Sequence, residues 1–337
     1  MGGMEPHKGN PMMQFCAEAG APRLDRYLAD LHPEVPRARW DAHVRTGLVK
    51  VNGQPVTKGG VRLRPGDMVE TDLPVIIVAA THLEPEAIDL PTLYEDALLW
   101  IVDKPAGMVV HPGPGHAGGT IVNALLHRLK TPVEVDALAE PSEDAEELAS
   151  GWPGLVHRLD RYTTGCLCLA KTLDAQRAIQ DQFKARTVEK RYLAIVRHSP
   201  RLPQLGSLLI DEPIARHKHD RLRMVVAAGG RPAQTRIRVL ARTSSIALVE
   251  CELLTGRTHQ IRVHLGHLRA PIMGDSLYGG PGRWQDTDSQ PLLLPHPALH
   301  AWKLSVDHPG TGERIHAVAP LPETFRALAA ALGLPEA

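Results

Sequence analysis

The chain has 337 residues, 43% hydrophobic and 4% aromatic, with 38 Lys and Arg against 38 Asp and Glu. That length can bury a full core and suits two domains, no stretch approaches the roughly 18 apolar residues of a membrane span, and Glu5, Lys8 and Glu18 interrupt the place where a signal peptide would be apolar. The four cysteines (Cys16, Cys166, Cys168 and Cys251) lack disulfide-framework spacing and suit a reduced, cytoplasmic compartment. The zero net charge hides a segregation: residues 34–64 carry seven Lys and Arg against two acids, residues 184–264 carry sixteen against six, and residues 134–147 hold seven acids and no base. Two basic surfaces and one acidic loop are expected, which is either a nucleic-acid footprint or ordinary solvated faces.

Gly2, Gly3, Pro6, Gly9 and Pro11 make residues 1–22 read as a disordered leader. Residues 23–75 read as a small α/β domain. Leu24, Tyr27, Leu28 and Leu31 recur at helical spacing, and Trp40 and Val44 mark a second short helix. LVKVNGQPV at 48–56 predicts a hairpin turning at Asn52-Gly53, and RPGDMVET at 64–71 turns at Pro65-Gly66 into a further strand. Residues 76–90 read as a linker. A larger domain over 91–325 opens with a strand from Leu98 to Val102. Helices are expected at 120–130 and at 174–186, the second capped by Asp174 and lined by Ala175, Ala178, Ile179 and Phe183. Strands are expected at 166–171, 191–197, 234–241 and 246–254, an acidic surface insertion at 131–151, a helix near Pro322 to Leu332, and a tail over 326–337. Strands outnumber helices without regular alternation. That predicts an α+β fold with a mixed, largely antiparallel sheet, not a doubly wound one.

HRLDRYTTG at 157–165 sets Asp160 between a basic His157-Arg158 pair and a Thr163-Thr164-Gly165 turn, just before the apolar run Cys166 to Ala170. A carboxylate on a loop braced by a core strand is well presented to a substrate, although an Arg-x-Asp loop taken alone is more often a surface ion pair. GRTHQIRVH at 256–264 follows another β-rich run and offers Arg257, His259, Gln260 and Arg262. Gly113-Pro-Gly115-His-Ala-Gly118 is a formal GxGxxG with Glu134 about twenty residues on, the mark of a dinucleotide-dependent oxidoreductase. No strand is expected to carry Glu134, and the βαβ alternation of that fold is missing. Cys166-x-Cys168 has no second Cys/His pair to complete a tetrahedral metal site, and His259, His264 and His267 do not converge on one helix face. Neither a metal nor a cofactor is expected.

With EKRYLAIV at 189–196 and DKPAGMVVHPG at 103–113, these stretches resemble a known family: pseudouridine synthases of the RluA/RluD type, nearest the ribosomal large-subunit branch. The resemblance spans about Arg23 to Leu328, with the four motifs in the family's order. One departure is Tyr162, which stands where the family usually has an acidic residue two positions after its catalytic Asp. The resemblance implies a pseudouridine synthase fold with a cleft across the sheet, and an N-terminal alpha-L RNA-binding motif whose phosphate contacts are Arg37, Arg39, Arg45 and Lys50. It implies Asp160 as the catalytic carboxylate and Tyr192 as the ring stacked on an extruded uracil. Arg262 is implied as the guanidinium that keeps Asp160 ionised against the effect of burial, through a bidentate pair. Arg257, His259 and Arg221 would contact RNA. Arg158 would either fill the place of the flipped base or bind phosphate. The implied partner is large-subunit ribosomal RNA or its precursor particle, with no membrane, and the implied state is a monomer. A non-catalytic RNA-binding assembly factor is the other reading of the same motifs.

Overall fold

The structure is a computed structural model that describes residues 12–32, 35, 37–73, 80–112, 116, 118–130, 133–136, 154–204, 206–220, 222–285 and 291–331, with the side chains of 38, 39, 80–82, 133–136 and 331 left aside. Residues 1–11, most of the glycine-rich stretch 113–118, most of the acidic insertion, Arg221 and the Arg39 side chain therefore lie outside the described residues. The described chain falls into two compact units, one within Met1–Thr81 and Glu134–Glu140, the other within His82–Val133 and Pro141–Ala337.

The N-terminal unit runs β1 (Met13–Ala17), α1 (Leu24–Leu31), α2 (Arg37–Arg45), β2 (Lys50–Val51), β3 (Gln54–Pro55) and β4 (Asp67–Thr71), with sheet order β1-β4-β2-β3. Leu24 and Leu28 lie four apart on α1 and close with Trp40 and Val44 of α2 over Val49, Leu63 and Val69. Asn52 and Gly53 both take positive φ (52° and 76°), as the predicted two-residue hairpin turn requires. Asp25 is 1% exposed and neutralised from two sides. Its carboxylate accepts from Arg23 Nε and Nη2, each at 2.9 Å, and from Arg37 Nε at 2.9 Å. The leader expected over 1–22 is too long: Met13–Ala17 pair antiparallel with β4, and Met13 and Phe15 pack on the core. Glycine and proline earlier in the leader obscured this alternation of apolar and polar residues.

The chain continues through β5 (Ala80–Leu83), β6 (Thr92–Glu95), β7 (Leu99–Lys104), α3 (Ile121–Leu129), β8 (Val133–Asp136), β9 (Thr164–Ala170), α4 (Leu173–Ala185), β10 (Glu189–Arg197), β11 (Ser207–Asp211), β12 (Ile214–Arg216), β13 (Met224–Val226), β14 (Gln234–Arg242), β15 (Ile246–Leu253), α5 (Gln260–His267), β16 (Arg283–Trp284), β17 (Leu292–Leu293), β18 (Leu299–Asp307), β19 (Arg314–Val318) and α6 (Glu323–Ala331). Nine strands form one sheet ordered β11-β14-β15-β10-β18-β9-β7-β6, with β19 also paired to β18. Within it, among the described residues, only β18 and β9 run parallel; the sheet is mixed and largely antiparallel, as expected. β8 does carry Glu134, contrary to expectation, but this sheet lacks the parallel crossovers of a dinucleotide fold.

α4 lays Ala175, Ile179 and Phe183 on the core that holds Cys166 and Cys168 of β9. Its cap is Thr172, whose side chain accepts from the Ala175 amide at 3.2 Å, and not Asp174. The helix starts earlier than the apolar spacing suggested. The C-terminal boundary also moves, because α6 continues past Phe325 and buries Leu328 inside the span read as tail.

The parallel pairing between β18 and β9 covers two residue pairs, His300 with Thr164 and Ala301 with Gly165. Gly165 has φ +105°, and a Cβ there would collide with the Ala301 carbonyl. A glycine is therefore needed where the strands meet. The chain immediately before it, the loop that carries Asp160, leaves the sheet at its centre.

Candidate active site

Buried hydrogen bonds hold the Asp160 loop from two sides. His157 Nε2 accepts from the Cys168 amide at 2.9 Å, and its ring stacks on Phe183 at 5.0 Å. Burial, then the nearby Lys190 charge, pushes the His157 pKa down to about 3. It is a neutral buttress, which corrects the reading of His157-Arg158 as a basic pair. On the other side Lys104 is fully buried and gives its three ammonium hydrogens to the carbonyls of Pro105, Met108 and Arg161, at 2.9, 2.8 and 2.9 Å. Gly107 and Arg161 add a reciprocal pair, Gly107 N to Arg161 O at 3.0 Å and Arg161 Nε to Gly107 O at 3.0 Å. The DKPAG stretch is thus a clamp on the Asp160 loop, a role its sequence does not announce. Burial brings the Lys104 pKa down to about 7, with Asp160 and Asp103 opposing. Replacing Lys104 with Met should take a donor from three carbonyls, of which that of Arg161 keeps the Gly107 amide, and lower stability by about 2–4 kcal/mol. Thermal unfolding checks this, and an unchanged Tm would show that the clamp holds nothing.

Tyr162 stacks on His296 with centroids 4.1 Å apart and planes 12° apart, and the Arg161 guanidinium lies 5.2 Å from its ring. Where the family usually has an acid, this chain braces the loop with an aromatic contact.

The second wall comes from the stretch 255–262. Gln260 is 3% exposed and makes four bonds. It accepts from Thr255 Oγ1 at 2.8 Å and the Arg257 amide at 3.0 Å, and donates to Gln234 O and Thr235 Oγ1, both at 2.9 Å. Its work is to fold this loop against β14, which leaves α5 to point Arg262 at Asp160. Arg262 Nη1 donates to Asp160 Oδ2 at 3.0 Å. The sequence-derived pairing is therefore present, but it is not bidentate. The fork of Arg262 goes to Asp275, with Nε to Oδ2 at 2.7 Å and Nη2 to Oδ1 at 2.9 Å. Asp275 is 1% exposed and was not foreseen. Its DSLYG context alone carries no partner for an arginine thirteen residues earlier.

Burial works to raise the Asp160 pKa, but the charges of His259, Arg262 and Arg158 and the Arg262 hydrogen bond outweigh it and hold the carboxyl below its ordinary value. His259 is itself pushed down by burial, so at neutral pH Arg262 is the cation that faces Asp160 most closely. Tyr192 is 7% exposed and lies in β10 where the register against β18 shifts. Burial, followed by the Asp160 charge, pushes its hydroxyl pKa up, so Tyr192 keeps its proton.

Asp160, Tyr192 and Arg262 line one pocket with Arg158, Arg257 and His259. Arg158 is half-buried, and among the described residues its guanidinium donates no hydrogen bond. Arg257 Nε donates to Pro232 O at 3.1 Å on the rim. Arg37 and Arg45, placed by sequence on a phosphate-binding face, are engaged by Asp25 and Asp41 of their own unit. Lys50 makes no ion pair among the described residues.

Residues 98–267 match the RNA pseudouridylate synthase family, and residues 22–69 match the S4 domain. The chain is 40% identical, over 93% of its length and 90% of the relative's, to Ribosomal large subunit pseudouridine synthase D of Xanthomonas campestris pv. campestris. It is 38% identical to the protein of the same name from Pseudomonas aeruginosa, over 93% of this chain and 94% of that one. Among solved structures it is similar to Human RNA Pseudouridylate Synthase Domain Containing 4, with a TM-score of 0.53 and 28% identity over 73% of this chain and 94% of that chain. The fold is that of a pseudouridine synthase, with an S4 domain at the N-terminal end. The chain belongs to the RNA pseudouridylate synthase family, isomerases that convert uridine in RNA to pseudouridine. The oxidoreductase and non-catalytic readings of its motifs are thereby set aside.

Proposed function

We propose that this enzyme isomerises uridines of large-subunit ribosomal RNA with Asp160 as its essential carboxylate. One observation carries the assignment: Asp160 is held ionised at 3.0 Å by an arginine whose fork is locked on a buried second carboxylate, beside Tyr192. An ion pair built only for stability needs no open pocket around it. The uridine flips into this pocket, its uracil stacks on the Tyr192 ring, and the carbon–nitrogen glycosidic bond breaks and re-forms at ring carbon five. Arg158, on the same loop as Asp160, offsets part of the unstacking, which costs a few kcal/mol. The ribosomal assignment is supported by the names of the relatives and by the S4 match. The enzyme acts in the cytoplasm, a reading supported by its free cysteines. Among the described residues no helix is long and apolar enough to cross a membrane.

The test is to map pseudouridines in ribosomal RNA from cells with and without the gene, then restore them with purified enzyme. Unchanged large-subunit RNA would overturn the substrate assignment. For the N-terminal unit, Lys50→Ala with Arg62→Ala should weaken RNA binding. Its salt slope should also fall, by roughly 0.7–0.9 for each phosphate left without its cation. These two side chains make no ion pair among the described residues, so folding should be unaffected. Arg37→Ala should instead lower Tm, since it strips a partner from buried Asp25.

A further inference from the structure

The pocket contains a hydrogen-bond donor that the pairing of Asp160 with Arg262 does not use. His259 stands at the N-cap of α5 with φ 57° and ψ 18°, a left-handed conformation unusual for a residue with a Cβ. Its ring is fixed from behind. Tyr278 lies in the short helical turn Ser276–Tyr278, and its Oη sits 2.8 Å from His259 Nδ1. The same Oη accepts the Met224 amide proton at 2.9 Å. A phenol has one proton to give, and burial pushes the Tyr278 pKa up to about 12, so that proton stays in place. Among the described residues the acceptor at bonding distance from Oη is His259 Nδ1. Tyr278 therefore donates to Nδ1, and the ring proton of neutral His259 sits on Nε2. Nε2 faces the pocket 3.9 Å from Asp160 Oδ2, too far for a hydrogen bond. Around this ring stand Asp160 and Arg158 on one loop, Arg262 on α5, and Asp275 and Tyr278 on the turn, with Arg223 at 5.8 Å from the Tyr278 ring.

We propose that Tyr278 is a positioning residue that locks His259 as the neutral Nε2–H tautomer, and that this N–H donates to a uracil carbonyl oxygen during isomerisation. The inference rests on the reading of Asp160 as the reactive carboxylate. When the bond from ribose C1′ to N1 breaks, its electron pair leaves with the base and spreads over N1 and the two carbonyl oxygens. A neutral N–H aimed at one oxygen stabilises that charge without giving up its proton, so the pair is returned intact when C5 bonds to C1′. The C5 hydrogen then leaves as a proton and N1 gains one, with no net change. A neutral donor suits this role better than an imidazolium, which Asp160 would draw into an ion pair and away from the base.

Nitrogen NMR of labelled enzyme, with the His259 signals assigned by their loss in His259→Gln, should show Nδ1 bare and Nε2 protonated at neutral pH. Single-turnover rates at saturating RNA give the functional arm. His259→Leu should lose on the order of 100-fold, as for one preorganised donor. His259→Gln, whose amide N–H reaches the Nε2 position, should recover most of that loss, and His259→Asn, which reaches only Nδ1, should not. Tyr278→Phe should lose roughly tenfold, the worth of one hydrogen bond, but should cost nothing further in the His259→Gln background, where no tautomer needs setting. An Nδ1–H tautomer, a near-wild-type His259→Leu enzyme, or equal Tyr278→Phe losses in both backgrounds would overturn the proposal. If Asp160→Asn proves active, the underlying site reading fails instead; an inactive Asp160→Asn beside an active His259→Leu sinks this inference alone.

Discussion

Asp160→Asn should abolish isomerisation, by roughly 10⁴-fold or more, while RNA affinity stays near wild type. The amide is nearly the size of the carboxylate and can still accept from Arg262 Nη1, so the pocket keeps its shape. What is lost is the charge. That charge repels phosphate, so its removal takes nothing from binding. The same carboxylate predicts a pH profile. Its folded pKa lies below the ordinary value, so it is ionised at and above about pH 4. The stability it contributes is fully present above the unfolded pKa and is lost as pH falls through the depressed folded one. No acid limb in the single-turnover rate should therefore trace to Asp160 above about pH 5. Nucleoside analysis of reacted RNA measures turnover. Appreciable pseudouridine from the Asn enzyme, once deamidation is excluded, would falsify the assignment.

Arg262→Lys should be nearly as damaging, and for two reasons. Lysine carries the charge but not the fork, and the fork is what binds Asp275 at 2.7 and 2.9 Å. One ammonium cannot satisfy buried Asp275 and also reach Asp160. An underpaired buried carboxylate costs about 3–5 kcal/mol when a partner is removed outright, and the lysine variant should show part of that as a lowered Tm. The chemical rate should fall on the order of 100-fold, because Asp160 loses its orienting bond. Arg257→Lys should be mild in both measurements, since its Nε holds a rim carbonyl. If single-turnover rates show Arg257→Lys crippled and Arg262→Lys near wild type, the two roles are exchanged. Asp275→Asn offers an independent check: it should lower Tm and rate together, while a change at a merely supportive surface acid would do neither.

Local chemistry was enough to place most of the elements. Asn52-Gly53 can only turn one way between short strands, and it does. The apolar run after Asp160 became β9, and the β-rich run before Arg257 became β15, because strands buried on both faces announce themselves by composition. Order among the motifs, through their resemblance to a family, brought Asp160, Tyr192 and Arg262 into one pocket. The sequence by itself did not reveal who completes each buried charge. Arg262 could be matched to Asp160, but its fork belongs to Asp275. Lys104 lies 57 residues from the carbonyl of Arg161 that it clamps, and His300 lies 136 residues from the Thr164 hydroxyl beside the strand junction. Tyr278 sits behind His259 because a turn folds back under α5, not because of any pattern near either residue. Periodicity reports which face of a segment is apolar. The partners of a buried ion or hydroxyl are chosen by which elements become neighbours: β7 beside β9 brings Lys104 to the Asp160 loop, and β18 beside β9 brings His300 to Thr164.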